Sequence, residues 1–460
     1  MVSSGKNSLS LWKRLRKMHL SATQIIPLVF AGIILLGTVL LTLPAASRDG
    51  VSCGLFPALF TATSATCVTG LVLFDTFTQW SGFGQTVILL LIEVGGLGFM
   101  SMASLFIFLL RKKVGLKQRM VMAQAMSLND MEGVVRLQKI MLFGSLGVQF
   151  AGALVLTLHF WTDYGFKQAA IWGVFHAISG FCNAGFDIFG KLAPGQSLIP
   201  FNDDPIVLIT LMFLITIGGL GFFVWEELAR VRKFKKFSVY TKLVLIATAA
   251  IILTGTLLTL ALEWNNPNTL GPMPVWQKIL NGFFQTVTLR TAGFVAVDQA
   301  MLTDSTKGMS LLIMLIGGSS GSTAGGIKTV TFLVLLLFIW TKARGRNTVH
   351  IFRRTIPHGK AIDAMTIFFI VVGLAFFGGV FISATSQVPF IDAMYESVSA
   401  LATVGLTAGV TPNLGILAQM MIVVFMFFGR VGVLTISLGF LMGDKAEDRF
   451  RYADTNLLIG

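Results

Sequence analysis

The sequence predicts an all-α polytopic membrane protein: four parallel span–pore-loop–span repeats with pseudo-fourfold symmetry around one central pore, giving eight transmembrane helices and four re-entrant pore loops. Three observations carry this expectation: a chain too apolar for water, eight long apolar runs, and one glycine-centred pattern that occurs four times. Of 460 residues, 54% are hydrophobic and 12% are charged, with a mean hydropathy of +0.79. Globular chains carry about 25% charged residues, so a soluble fold of this length could not cover its surface. Cys53, Cys67 and Cys182 show neither C-x-x-C nor Cys/His spacing, which excludes a disulfide framework and a zinc site as expectations. The basic first 20 residues lead into an apolar run long enough to span, so no cleavable leader is expected.

The apolar runs lie near 22–43, 84–110, 137–160, 206–229, 243–262, 309–341, 364–384 and 415–442. Basic residues sort by side. Of 35 Lys and Arg, 27 fall in the N-terminus, in 111–139, 230–242 and 342–360, and in the tail from 443. The positive-inside rule then places both termini in the cytoplasm and reads the +14 formal charge as topology and contact with membrane lipid, not nucleic acid. The expected organisation is a cytosolic N-terminus (1–20), repeat 1 (21–110, pore loop near 56–76), a cytosolic loop (111–136) and repeat 2 (137–229, pore loop near 171–190). A second cytosolic loop (230–242), repeat 3 (243–341, pore loop near 279–298), a third loop (342–361), repeat 4 (362–442, pore loop near 391–411) and a cytosolic tail (443–460) follow.

Between paired spans the same pattern recurs. Phe60, Phe175, Phe283 and Tyr395 each precede a glycine by ten positions: Gly70, Gly185, Gly293 and Gly405. These glycines lie 115, 108 and 112 residues apart, and a bulky apolar residue follows each. A further glycine opens the second half of each unit: Gly95, Gly218, Gly317 and Gly429. Irregular backbone at membrane depth is tolerated only where it is buried in protein or lines water. Four such strands on one axis would present rings of backbone carbonyls that replace the hydration shell of a cation. Glycine tolerates the left-handed backbone and leaves no side chain in the path.

Two features break the apolar pattern. As one helix, the sixth run would be about 50 Å long against a core of about 30 Å. Its centre holds Gly317, Gly318, Ser319, Ser320, Gly321, Ser322, Thr323, Ala324, Gly325, Gly326 and Lys328, a composition that disfavours helix. An intramembrane loop is expected there. Arg430 lies inside the last run, where a charge costs about 2.5–3.5 kcal/mol on insertion scales, so it should face a pore or a partner. Arg290 and Glu396 are candidates to pair with each other. Asp75, Asp187 and Asp298 follow three of the four glycines and either concentrate cations or cap loops. Glu93 is read as a partnered polar residue, and the histidines show no ligand spacing.

On these residues the sequence resembles the Trk/Ktr/HKT superfamily of potassium transporters, from about residue 20 to the C-terminus. Eight spans and a short N-terminus are most similar to its KtrB branch, the membrane subunits of bacterial KtrAB potassium uptake systems. The resemblance implies potassium uptake across a bacterial cell membrane, with no enzyme activity. It implies a selectivity filter of Val68, Thr69, Gly70, Asn183, Ala184, Gly185, Thr291, Ala292, Gly293, Thr403, Val404 and Gly405, with potassium bound there. It implies that loop 317–328 and Arg430 form the gate. It also implies a homodimer to which the C-terminus contributes, a cytosolic nucleotide-binding ring subunit of KtrA type, and sodium ion as a candidate activator. No phosphate-binding loop or dinucleotide fingerprint occurs in this chain, so a regulatory nucleotide would bind the ring subunit. The alternative is a sodium- or proton-coupled cation transporter of the same superfamily, although ionisable residues inside the spans are few.

Overall fold

Apolar side chains cover the outside of this fold as well as forming its core, and a set of hydroxyls is buried inside it. Leu35, Leu36 and Val39 on the first helix are each 61% exposed, whereas Thr61, Thr63, Ser64, Thr66 and Thr69 are at most 2% exposed. A lipid jacket accounts for the first set and a polar centre for the second. The computed structural model describes residues 22–98, 134–346 and 348–432. The expected cytosolic N-terminus, most of loop 111–136, the ends of spans 84–110 and 415–442, the tail and its dimer contact lie outside the described residues.

The chain repeats a helix, a short helix and a second helix. The first unit is α1 (Ala22–Thr42), α2 (Leu55–Cys67) and α3 (Gly82–Leu97). The second is α4 (Val134–Tyr164), α5 (Phe166–Cys182) and α6 (Pro205–Leu220), continued by α7 (Phe222–Arg230). The third is α8 (Val239–Glu263), α9 (Val275–Leu289) and α10 (Asp304–Leu315), continued by α11 (Thr329–Ala343). The fourth is α12 (His358–Ser386), α13 (Phe390–Leu401) and α14 (Ile416–Val431). Helices α4, α8 and α12 are long and apolar enough to cross a membrane alone. Side-chain caps start three of the four second helices: Ser81 accepts from the Gly84 N–H, Asp204 from Ile206 and Val207 with Pro205 behind it, and Thr303 from Thr306.

Packing between units follows one rule. Helix α3 packs on α5, α6 on α9, α10 on α13, and α14 returns to α2, so the contacts close a cycle. Two expectations need correction. The run 206–229 is not one straight span: it bends by 95° at Gly221, whose φ of +89° ends α6. There the Phe222 N–H donates to the carbonyl of Gly321 at 2.9 Å, so the break receives a loop from another unit. The fold is also not wholly helical, because 342–361 contains a small antiparallel hairpin, β1 (Val349–Ile351) with β2 (Arg354–Ile356).

Glu263, at the end of α8, is fully buried and fixes where the third unit returns to the membrane. Its carboxylate accepts from Asn266 Nδ2 (2.7 Å), Thr269 Oγ1 (2.6 Å), the Thr303 N–H (3.0 Å) and Thr303 Oγ1 (2.8 Å), and also from Thr306 Oγ1. Glu263→Ala orphans these donors and is expected to cost about 3 kcal/mol. Thermal unfolding in detergent checks this, and an unchanged midpoint would refute it.

Candidate functional site

Each short helix ends in the same way. Val68, Asn183, Thr291 and Thr403, two residues before the repeated glycines, all take left-handed backbone with φ of 56°, 59°, 63° and 52°. They are four of the eight non-glycine residues with positive φ among those described. For β-branched Val and Thr this conformation costs roughly 1–2 kcal/mol, so something must hold it. In the first, second and fourth units a helix-terminating pair of bonds does so: Thr69 N–H to Ser64 O, Ala184 to Ser179 and Val404 to Ser399, each 2.8 Å. In the third unit the turn is one residue tighter, with the Ala292 N–H bonding Thr288 O at 2.9 Å. The middle residues Thr69, Ala184, Ala292 and Val404 keep negative φ, and Gly70, Gly185, Gly293 and Gly405 return to +99°, +69°, +81° and +91°.

The four glycines then meet. A Cβ built on Gly70 would lie 3.2 Å from Gly185 Cα, one on Gly185 2.9 Å from Gly293 Cα, one on Gly293 3.2 Å from Gly405 Cα, and one on Gly405 2.9 Å from Gly70 Cα. The contacts close a ring whose near neighbours are the carbonyl oxygens of Ala184, Ala292, Val404 and Thr69. No side chain fits there. The hydroxyls of Thr69, Thr291 and Thr403 are buried at this ring without a protein partner. Asn183 instead turns outward, its amide nitrogen donating to the carbonyls of Gly180 and Ile215 at 3.2 Å each.

Sequence reasoning missed a second set of residues. Ser64 and Ser399 accept from the Gly70 and Gly405 N–H groups at 3.1 Å, while Ser179 and Thr288 donate to the carbonyls of Phe186 and Phe294 at 2.7 Å. These hydroxyls tie the glycine strands to the short helices. The signal was available, since a serine stands six residues before the glycine in three units.

Residues 316–328 form a loop between α10 and α11, clasped by the Gly317 N–H to Ile327 O and the Ile327 N–H to Leu315 O, both 3.0 Å. The loop reaches the underside of the ring: a Cβ on Gly325 would lie 1.9 Å from Thr403 Oγ1. It is anchored on the α6–α7 break by the Ser319 N–H donating to Gly219 O (3.0 Å), on α5 by Thr323 Oγ1 to Phe181 O (3.1 Å) and on α8 by Tyr240 Oη to Ser320 O (3.0 Å). Ser322 Oγ and Lys328 Nζ bond carbonyls inside the loop, Ser319 and Ala324. Arg430 joins loop and helix: its guanidinium donates to the carbonyls of Thr323, Gly95 and Gly96, the last at 3.1 Å.

The expected pair of Arg290 and Glu396 does not form. Glu396 is occupied by the Ala408 N–H and the hydroxyls of Thr407 and Thr411, beyond the fourth glycine. Arg290 lies just past the end of its short helix against Thr248 Oγ1 (3.4 Å). Glu93 is partnered, by Gln149 Nε2 at 3.0 Å and Cys182 Sγ at 3.4 Å. Asp75, Asp187 and Asp298 all cap turns, accepting from the N–H groups of Thr78 (2.8 Å), Phe189 (3.2 Å) and Ala300 (2.9 Å). In the loop after the second glycine, burial and then the nearby Asp75 carboxylate push Asp187 up to about 6. Among the described residues no group of His, Cys, Asp or Glu is arranged to hold a metal ion.

An apolar jacket around a polar, loop-lined centre makes this a helical membrane protein built to pass something polar. Residues 18–449 match the family described as TrkH, cation transport protein, and the chain belongs to that family of ion transporters, not enzymes. It is 37% identical to the potassium/sodium uptake protein NtpJ of Enterococcus hirae, over 97% of this chain and 99% of that one. It is 38% identical to the Ktr system potassium uptake protein B of Bacillus subtilis, over the same shares, and 34% identical to that of Vibrio alginolyticus, over 95% and 94%. The potassium transporter TrkH from Vibrio parahaemolyticus shares the fold, with a TM-score of 0.69 at 20% identity over 93% of this chain and 86% of that one.

Proposed function

We propose that this chain conducts potassium ions into a bacterial cell through the ring at Gly70, Gly185, Gly293 and Gly405, with loop 317–328 and Arg430 as its gate. The closed ring of glycines, each preceded by a left-handed residue, carries this reading. Alternating left- and right-handed residues turn successive carbonyls to one side of the strand, which suits coordination of a bare cation. The filter is then Val68, Thr69, Gly70, Asn183, Ala184, Gly185, Thr291, Ala292, Gly293, Thr403, Val404 and Gly405, of which Asn183 contributes backbone only. The cyclic packing of the four units supports pseudo-fourfold pore architecture with the repeat boundaries given above. A cavity of about 150 Å³ beside Lys328, lined also by Thr331, Leu401 and Gly429, gives the loop room to move.

Relatives named as parts of Ktr systems support a cytosolic nucleotide-binding ring of KtrA type as the regulatory partner, and we extend to this chain a homodimer with both termini cytoplasmic. Potassium uptake in a transport-deficient bacterium, with and without a co-expressed ring subunit, tests the proposal: growth at low potassium is expected, and none in either case would overturn it. The second reading is sodium-coupled uptake, favoured by the relative named for both potassium and sodium. Potassium flux in vesicles free of sodium decides between them.

A pH profile follows from Asp187. Its carboxyl loses its charge as pH falls through about 6, well above the usual aspartate value of about 3.9. If that charge concentrates cations at the outer mouth, uptake at subsaturating potassium should fall as external pH drops through about 6. Asp187→Asn should flatten this step. A step of parental size in the variant would leave Asp187 as a loop cap only.

A further inference from the structure

His176 and Glu396 stand nine residues before Gly185 and Gly405, at the same place in α5 and α13, and both are fully buried. Different side chains make the same bond there. The N–H of Ile188, three residues beyond its glycine, donates to His176 Nε2 at 3.2 Å, and the N–H of Ala408, three beyond its own, donates to Glu396 Oε1 at 2.9 Å. His176 is locked in the accepting form, because its Nδ1 faces the Trp172 carbonyl at 2.7 Å, which fixes the proton on Nδ1 and leaves Nε2 as acceptor. Its ring stacks on Phe189 at 3.8 Å. Glu396 also accepts from Thr407 and Thr411, so it gathers three points of the strand that leaves the ring.

Thr61 and Phe284 hold this place in the first and third units. The third unit braces its outgoing strand with a Gln285–Gln299 amide pair instead, at 2.6 and 3.0 Å. Because the ring runs Gly70, Gly185, Gly293, Gly405 and back, the second and fourth strands face each other across it. Those two strands are tied at both ends, by the Ala184 and Val404 N–H bonds to the Ser179 and Ser399 carbonyls at the inner end and by His176 or Glu396 at the outer end.

We propose that His176 and Glu396 are positioning residues that fix the outer ends of two opposed filter strands and so set the preference for potassium over sodium. A strand held at both ends cannot draw its carbonyls inward around a smaller ion. This inference rests on the filter reading of the glycine ring. The test is potassium and sodium binding by titration calorimetry on the purified full-length protein. Glu396→Ala and His176→Ala should each lower the potassium-to-sodium affinity ratio about tenfold, the scale of one buried bond lost to the ring's support. Glu396→Gln, whose amide oxygen still accepts from Ala408, should stay within about threefold of the parent. Thr61→Ala should leave the ratio unchanged. Folding of each variant is read from its unfolding midpoint, and if Glu396→Ala does not fold, His176→Ala carries the prediction. Parental ratios in folded alanine variants would overturn the clamp alone, provided Gly405→Ser does alter the ratio. An unaltered Gly405→Ser would instead overturn the filter reading beneath it.

Discussion

Gly405→Ser is expected to reduce potassium uptake at least tenfold and to erase the preference for potassium, while the protein still inserts and folds. Two physical costs meet at this position. The backbone sits at φ +91°, where an L-residue is strained, and a Cβ would lie 2.0 Å from the Thr69 carbonyl oxygen and 2.9 Å from Gly70 Cα. Strain alone costs roughly 1–2 kcal/mol. The steric conflict is worse, because both neighbours are backbone of the adjoining strand and can yield only by moving a carbonyl of the ring. Gly54→Ala separates the two costs. Gly54 has nearly the same φ, +89°, but the nearest atom to its Cβ is Pro57 Cδ at 3.8 Å. That variant should unfold slightly earlier and transport normally. Rubidium uptake and the potassium-to-sodium flux ratio in vesicles are the measurements. Parental rate and ratio in Gly405→Ser would remove the ring from the permeation path.

Much of this arrangement is visible in the sequence because its strongest constraints are local. A buried strand that must turn left-handed calls for glycine, and four glycines at near-constant spacing declare four such strands. The broken sixth run is equally open to reading, since five glycines and three serines between residues 317 and 328 cannot sustain a helix. What escaped depends on partners far away in the chain. Gly221 sits in an apolar run with only other glycines nearby, and its bend exists because Gly321, a hundred residues later, takes the Phe222 N–H. Arg290 and Glu396 have opposite charges in neighbouring units, but Arg290 caps the end of α9 while Glu396 lies in the middle of α13, three and nine residues before their glycines. That difference of six residues is about 9 Å along a helix, too far for a pair once the repeats are laid side by side. The offset could have been counted. The serine braces were also in plain view, and packing hydroxyls and bracing hydroxyls look alike until their bonds are seen.

Arg430→Ala is expected to raise basal potassium flux through the chain in vesicles lacking the ring subunit. The repeat explains why. Gly95, Gly218 and Gly429 pack in one register, since a Cβ on each would lie 2.0, 2.0 and 2.2 Å from the carbonyl oxygens of Thr66, Phe181 and Leu401 at the ends of three short helices. The next residues are therefore equivalent: Gly96, Gly219 and Arg430. At this level Gly96 lies tight against Cys182, Gly219 meets only the Asn183 amide, and the fourth unit carries a guanidinium instead. That guanidinium bonds the loop at Thr323 and the end of α3 at Gly95 and Gly96, and on the proposed reading it thereby holds the loop beneath the ring and places a positive charge in the cation's way. A hydrogen bond to a charged group is worth about 1.5–3 kcal/mol, and losing about 3 kcal/mol of preference for the closed loop would raise the open fraction more than a hundredfold. Arg430→Lys divides the two roles. It keeps the charge but cannot bridge loop and helix with a planar fork. Flux well above the parent in the lysine variant would assign most of the barrier to the latch, and flux near the parent would assign it to the charge. Flux in Arg430→Ala at or below the parental level, still responding normally to the ring subunit, would exclude both, and leave the loop to close the pore without the arginine.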